Sequence, residues 1–284
     1  MKTISNIREL RSLVAEWRRQ QQKIAFVPTM GNLHDGHLTL IKEAKKRAEH
    51  VVVSIFVNPM QFNDANDLAN YPRTEQQDSA ALRDLDVDIL FLPTVETIYP
   101  TGIDQQTRVE VPEISTLYCG SSRPGHFLGV TTVVTKLFNL VNPDIAVFGE
   151  KDFQQLFIIR RMVEELCMDV EIVGIPTVRE ESGLAMSSRN NYLNNEQHQV
   201  APVVYQSLSW LKHELEQGNT NFEALEDEVR TRFDDAGLTS DYVHILNSKT
   251  LKQAQPGDAE LVIIAAAWCG KARLIDNITV EVSR

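Results

Sequence analysis

Two histidines three residues apart, His34 and His37, close the run Ile24-Ala-Phe-Val-Pro-Thr-Met-Gly-Asn-Leu-His-Asp-Gly-His37. Neutral imidazoles donate hydrogen bonds to phosphate oxygens without carrying a permanent charge, and such bonds strengthen as charge builds in a transition state. The flanking residues give the pair a position. Ile24 to Val27 is a short apolar run that reads as a buried strand halted by Pro28. Thr29 to Gly36 form a tight loop, after which Leu38, Ile41, Ala44 and Ala48 follow helical spacing. A strand-to-helix handover presents unpaired backbone N–H groups and the positive end of a helix dipole, a natural seat for phosphate. Zinc is a competing use of a histidine pair. It needs further ligands, and no His-Glu-x-x-His or cysteine pair lies nearby. An ordinary surface pair is the remaining alternative.

Other side chains suited to binding an anion or a hydroxyl recur at similar places. Val51 to Val57 reads as a second buried strand, and Asn58-Pro59-Met60-Gln61-Phe62 follows it. Asn58 and Gln61 there are suited to hydroxyl or carboxylate recognition, with plain turn chemistry as the alternative. Arg123 and His126 share a loop with two glycines and either meet an anion or staple the loop. Gly149-Glu150-Lys151-Asp152 repeats the strand-loop-helix design with a lysine at the turn, a point contact for phosphate or a solvated helix start. One of Gln154 and Gln155 is expected to face the same pocket. Met186-Ser187-Ser188-Arg189 offers two hydroxyls and a guanidinium able to clamp phosphate, or else a polar linker. No Gly-x-Ser-x-Gly elbow supplies a nucleophile. The set therefore suits attack by a substrate oxygen on a nucleotide phosphate, which needs positioning and charge stabilisation more than covalent help.

The elements that must carry these groups alternate. A helix pattern runs from Ile4 to Trp17, another from Asp78 to Leu85, then from Val130 to Val141 and from Phe153 to about Leu166. Strand-like runs occupy 88–92, 145–148 and 170–175, with an alternating segment at 107–111. Such alternation predicts an α/β fold with a doubly wound, mostly parallel sheet and a ligand across the carboxyl ends of its strands. After Pro176 come helical stretches at 195–217 and 222–236, then strands at 242–246, 261–267 and 273–275. The expected organisation is one domain over 1–176 and a smaller α+β domain with an antiparallel sheet over 177–284. Neither Gly-x-Gly-x-x-Gly nor a Walker-type loop is present, which disfavours dinucleotide oxidoreductase and P-loop readings.

Composition bounds the rest. The chain has 284 residues, 43% hydrophobic, and a formal charge of −11, which argues against broad nucleic-acid or anionic-membrane binding. Three widely spaced cysteines without a Cys-x-x-Cys fit a reducing cytosol. No signal-peptide core opens the chain, and its longest apolar run, Leu261 to Cys269, is too short for a bilayer. A soluble cytoplasmic protein is expected.

Pro28 to His37 resembles the His-x-Gly-His signature of the nucleotidyltransferase-type Rossmann superfamily, and Met186 to Arg189 resembles its second, Lys-Met-Ser-Lys-Ser-like element. Ser188 stands where that element has a lysine, leaving Arg189 as its only cation. Val57 to Phe62, Arg123 to Phe127 and Phe148 to Gln155 narrow the resemblance, nearly end to end, to the pantothenate synthetase family. That resemblance implies a Rossmann-like domain and an ATP-dependent ligase joining (R)-pantoate to β-alanine through a pantoyl adenylate, with AMP and pyrophosphate as by-products. It implies an ATP site lined by Met30, Gly31, Asn32, Leu33, His34, Asp35, Gly36 and His37, where the histidines stabilise phosphate charge and His37 is the best proton donor. Gly149, Glu150, Lys151 and Asp152 would contact the nucleotide, with Lys151 on phosphate. Val178, Met186, Ser187, Ser188 and Arg189 would complete the site, the last four as a lid. Gln61 and Gln155 would hold pantoate, with Asn58 and Arg123 in support and Gln61 also near β-alanine. It further implies Mg2+ on the ATP phosphates, with Asp78 a faint candidate ligand, and a homodimer built through the N-terminal domains. Two rivals differ in their products: a nucleotidyltransferase leaves the nucleotide on its product, and a non-catalytic nucleotide binder has no turnover.

Overall fold

Strands and helices alternate as the apolar spacing predicts. In the computed structural model, which describes residues 1–282, the first part of the chain runs β1 (Lys2–Ile4), α1 (Ile7–Arg19), β2 (Ile24–Thr29), α2 (Asp35–Lys45), β3 (His50–Ile55), α3 (Ala65–Asn70), α4 (Glu75–Asp84), β4 (Ile89–Phe91), α5 (Val95–Ile98), α6 (Cys119–Ser122), α7 (His126–Val141), β5 (Ile145–Gly149), α8 (Phe153–Glu165) and β6 (Glu171–Ile175). The six strands form one parallel sheet in the order β1-β4-β3-β2-β5-β6. Strand order reverses at β2: β3 and β4 follow on one side, β5 and β6 on the other. The loop after β2 therefore opens at the switch point, where open α/β sheets take their ligands.

Alternation along the strands fills both faces. Ala25, Val27, Val51, Val53 and Val147 point to one face and pack with Ile41 and Ala44 of α2 and Leu82 of α4. Phe26 points to the other, edge-on to Phe138 of α7. Burial on both faces explains why these strands read as unbroken apolar runs.

Four local readings differ from the structure. Pro28 does not halt the strand but lies in it, opposite Ser54 of β3. On the other side of β2 the pairing with β5 covers only Ala25 and Phe26, so the missing N–H costs no ladder bond there. Lys2–Ile4 is a strand, paired to β4, and the first helix starts only at Ile7, behind an Asn6 cap. The alternating 107–111 segment forms no strand; the Val109 N–H donates to Thr132 Oγ1 at 3.1 Å instead. Between 195 and 217 the helix is broken at Ala201-Pro202, where proline lacks the N–H a continuous helix needs.

By its contacts the chain divides into two compact units, Met1–Glu150 with Gln154–Pro176, and Lys151–Phe153 with the chain from Thr177 onward. The second unit contains α9 (Asn195–Val200), α10 (Val203–Glu216), α11 (Phe222–Asp235) and the antiparallel sheet β7 (Thr239–Asn247), β8 (Glu260–Cys269) and β9 (Ala272–Glu281). Leu208, Leu211 and Leu215 of α10 and Val229 and Phe233 of α11 pack onto Val243, Ile245, Ile263, Ala265 and Leu274 of the sheet. This is the smaller α+β arrangement that the composition after Pro176 suggests.

Candidate active site

The histidine loop is fixed by its backbone. Gly31 and Asn32 both adopt left-handed φ, at 82° and 51°. A Cβ on Gly31 would lie 3.0 Å from Ile55 Cγ2 and 3.1 Å from Asp78 Oδ2, so glycine meets both the φ and the space. Asp78, buried on α4, accepts the N–H of Asn32 at 2.9 Å, the N–H of Leu33 at 2.8 Å and the Thr74 hydroxyl at 3.1 Å. Its carboxylate thus shapes the loop. Among the described residues no three His, Cys, Asp or Glu side chains gather as a metal site.

His34 caps α2 and His37 lies in its first turn, with ring centroids 4.1 Å apart. The His34 backbone N–H donates to His37 Nδ1 at 3.3 Å. A neutral His37 therefore carries its proton on Nε2, as a donor at a helix N-terminus. This is the arrangement phosphate oxygens need.

In the same unit, Asn58 and Gln61 belong to a buried polar cluster at the end of β3. Asn58 caps the short 3-10 turn Pro59–Gln61, accepting the Met60 N–H, while its Nδ2 donates to Gly129 O at 3.0 Å and to Gln61 Oε1 at 3.1 Å. Tyr99 donates to Asn58 Oδ1 at 2.8 Å. Gln61 Nε2 reaches Met30 Sδ at 3.1 Å, which brings two candidate site residues together. The Gln61 carbonyl faces His126 Nδ1 at 2.8 Å and accepts from Arg123 at 3.4 Å. Arg123 thereby supports the turn that carries Gln61. A Cβ on Gly129 would lie about 2.5 Å from the Met60 carbonyl, so α7 approaches the turn only because this residue is glycine. Of the two glutamines after Lys151, Gln154 is buried and bonded to the 114–119 segment through Ile114 O, Leu117 O and the Cys119 N–H. Gln155 is half-buried in the first turn of α8. Gly149 ends β5, and Glu150 begins the 3-10 turn that leads into α8.

The second unit holds the remaining candidates. Lys151 and Ser187 line a cavity together with Asn190, Ala185 and Asp276. Lys151 Nζ lies 3.9 Å from the exposed Asp152 carboxylate, and the Lys151 carbonyl accepts from Asn277 Nδ2 at 2.9 Å. Residues 178–186 form a small hairpin: Arg179 bridges Ala185, and the Met186 N–H donates to Val178 O at 3.0 Å. Ser187 Oγ then accepts the Arg189 N–H at 3.2 Å and starts the Ser188–Tyr192 turn, leaving its own hydroxyl proton to donate elsewhere. Asn190 is buried and donates to Glu180 Oε1 at 2.9 Å and Ala185 O at 3.1 Å. The hairpin is anchored by Arg179, which pairs with both oxygens of Asp276, at 2.6 and 2.9 Å, and stacks 3.7 Å from the Tyr205 ring centroid.

Sequence reasoning picked out the groups at loop tips and missed their supports, namely Asp78 as a loop anchor, Tyr99, Gly129, Arg179 and the Asp276–Asn277 pair. Gly129 alone left a signal, because a glycine inside a helical pattern costs about 1 kcal/mol and suggests close backbone approach.

A profile of the Pantoate-beta-alanine ligase family matches residues 2–279 of the chain. The chain is 52% identical to a pantothenate synthetase from Colwellia psychrerythraea over 288 aligned positions, covering 100% of both. Its structure is similar to that of pantothenate synthetase from Thermus thermophilus, with a TM-score of 0.91 and 43% identity over 98% of this chain and 99% of that one. It is also similar to a pantoate-beta-alanine ligase from Francisella tularensis complexed with beta-gamma ATP and beta-alanine, with a TM-score of 0.80 and 38% identity over 98% and 97% of the two chains.

Proposed function

The chain belongs to the pantoate-beta-alanine ligase family, an ATP-dependent ligase family, and on that premise we propose how its residues divide the reaction. A pantoate carboxylate oxygen attacks the α-phosphorus of ATP, a C–O–P mixed anhydride forms, and pyrophosphate leaves as the bridging P–O bond breaks. The β-alanine amine then attacks the acyl carbon. The new C–N bond forms as the C–O bond to AMP breaks, and the amine nitrogen loses a proton.

One observation carries the first step: His34 and His37 share the start of α2, with His37 Nδ1 occupied and its Nε2–H the donor. Aimed at α- and β-phosphate oxygens, such donors stabilise the charge that develops as pyrophosphate departs. Met30 to His37, Gly149 to Asp152, Val178 and Met186 to Arg189 form the ATP site in this reading. Lys151 supplies a point charge to phosphate, and the Ser187, Ser188 and Arg189 segment covers it. Gln61 and Gln155 hold pantoate, and Arg123 and the buried Asn58 act by supporting Gln61. Mg2+ would accompany ATP on its phosphates and supply charge stabilisation there. A homodimer built through the first domain and a cytoplasmic location complete the proposal. Among the described residues no disulfide links the three cysteines, in keeping with a reducing compartment, and no helix is long and apolar enough to cross a membrane.

Pantoate-dependent exchange of pyrophosphate into ATP without β-alanine tests the adenylate. Exchange, followed by AMP and pantothenate once β-alanine is added, is the expected result. Absence of exchange in folded protein that still makes pantothenate would remove the adenylate from the scheme. Sedimentation at micromolar concentration checks the dimer.

A further inference from the structure

We propose that Tyr99 is a positioning residue for pantoate, bracing Asn58 in the orientation its backbone partners dictate so that the Gln61 amide presents Nε2 to the substrate. The inference rests on the assignment of Gln61 to pantoate. Amide orientation is the deciding matter, and here the backbone fixes it. Asn58 touches two groups of known polarity: the Met60 N–H, which only donates, and the Gly129 carbonyl, which only accepts. Its oxygen must face the first and its nitrogen the second. The second hydrogen on Nδ2 then points at Gln61, whose contacting atom must be the acceptor Oε1, at 3.1 Å. Gln61 is left presenting Nε2 on its other side.

Tyr99 closes the chain of bonds. Its hydroxyl donates to Asn58 Oδ1 at 2.8 Å, and burial pushes the phenol well above its ordinary pKa, so it stays a donor. The ring is held near Phe56, at 6.2 Å between centroids, and under the Lys136 ammonium, 4.9 Å away. Lys136 is itself fixed by Ile98 O and Gln106 Oε1, both at 2.6 Å. Tyr99, Asn58 and Gln61 are all buried, so an amide turned the wrong way would leave like polar atoms facing each other with no water to relieve them.

The presented Nε2 rests on Met30 Sδ. A thioether is a weak acceptor, so the contact orients the amide while costing little to break. An incoming carboxylate or hydroxyl oxygen is a better acceptor and displaces it. The site thus selects a pantoate oxygen that accepts.

Steady-state kinetics of Tyr99→Phe, Gln61→Ala, Gln61→Glu and the Tyr99→Phe/Gln61→Ala double variant test the proposal. Tyr99→Phe is expected to raise the pantoate KM about tenfold, with the ATP KM and thermal midpoint near wild type. Gln61→Glu, which puts oxygen where Nε2 stood, is expected to raise it at least as far as Gln61→Ala. In the double variant, loss of the Tyr99 hydroxyl should add nothing to Gln61→Ala. An unchanged pantoate KM in Gln61→Ala would overturn the assignment of Gln61 and the inference with it. An effect of Gln61→Ala without one of Tyr99→Phe, fully additive effects, or a parallel loss for all substrates would overturn the relay alone. Wild-type pantoate affinity in Gln61→Glu would overturn the polarity.

Discussion

The two segments proposed to meet the ATP phosphates are held in different ways. The loop from Met30 to His37 is fixed through its main chain: one carboxylate, Asp78, accepts two successive backbone N–H groups, and Gly31 and Asn32 take the left-handed turn this requires. The hairpin ahead of Ser187 is fixed through side chains: Arg179 spans to Asp276, 97 positions away, and lies over Tyr205. Main-chain capture leaves few alternative conformations, which suits groups that must meet a transition state in preset geometry. A side-chain tether on a long guanidinium stem tolerates displacement, which suits a segment that covers a ligand and lets it go.

Cutting the tether should have the largest effect. Asp276 is 4% exposed, and Asp276→Ala leaves the Arg179 charge without its partner, at a cost of about 3–5 kcal/mol. Urea unfolding should show that loss, and limited proteolysis should cut the chain within 178–189. If cleavage stays as slow as in the wild type, Arg179 is not what holds the hairpin. His37→Ala and Lys151→Ala come next, each expected to lower the single-turnover adenylation rate by about 10²–10³ while unfolding midpoints stay near wild type. Equal rates in variant and wild type would remove that residue from the chemistry. Asp78→Asn should then cost about 1–3 kcal/mol, because its NH2 end faces a backbone N–H that needs an acceptor. Hydrogen exchange at the Asn32 and Leu33 amides should accelerate, and unaltered protection there would refute main-chain capture.

The same contrast explains what the sequence could reveal. Strands buried on both faces appear as apolar runs, and the motif at 24–37 is a strand, a loop and a helix in consecutive order, so both fold and loop were legible. Its anchor was visible as a residue but not as a role: Asp78 lies 46 positions from Asn32 and looks like any acid in a first helical turn. Pairing partners at such distance leave no periodicity. Tyr99 falls in a loop-rich stretch of the sequence, 94–112, and Asp276 and Asn277 lie just past the strand-like run at 273–275. Pro28 misled for the opposite reason. Whether a proline ends a strand depends on its neighbours, and β5 stops pairing before Pro28, which only the register shows.

The smallest effect should come from the aromatic face under the tether. Tyr205 stacks on Arg179, and a Cβ on Gly183 would sit 2.8 Å from its ring, so the ring packs against the first arm and the turn of the hairpin. Tyr205→Leu keeps apolar volume and the ion pair but removes the quadrupole, a loss of about 0.5–2 kcal/mol. Because Arg179 and Asp276 remain bonded, the hairpin should keep its wild-type resistance to proteolysis, while the half-buried guanidinium gains freedom. If the hairpin is a tethered cover, that freedom should appear as faster product release at unchanged adenylation rate. A drop in adenylation as large as that of Lys151→Ala would instead mean that the hairpin, like the histidine loop, acts by fixed geometry, and the contrast between the two segments would fall.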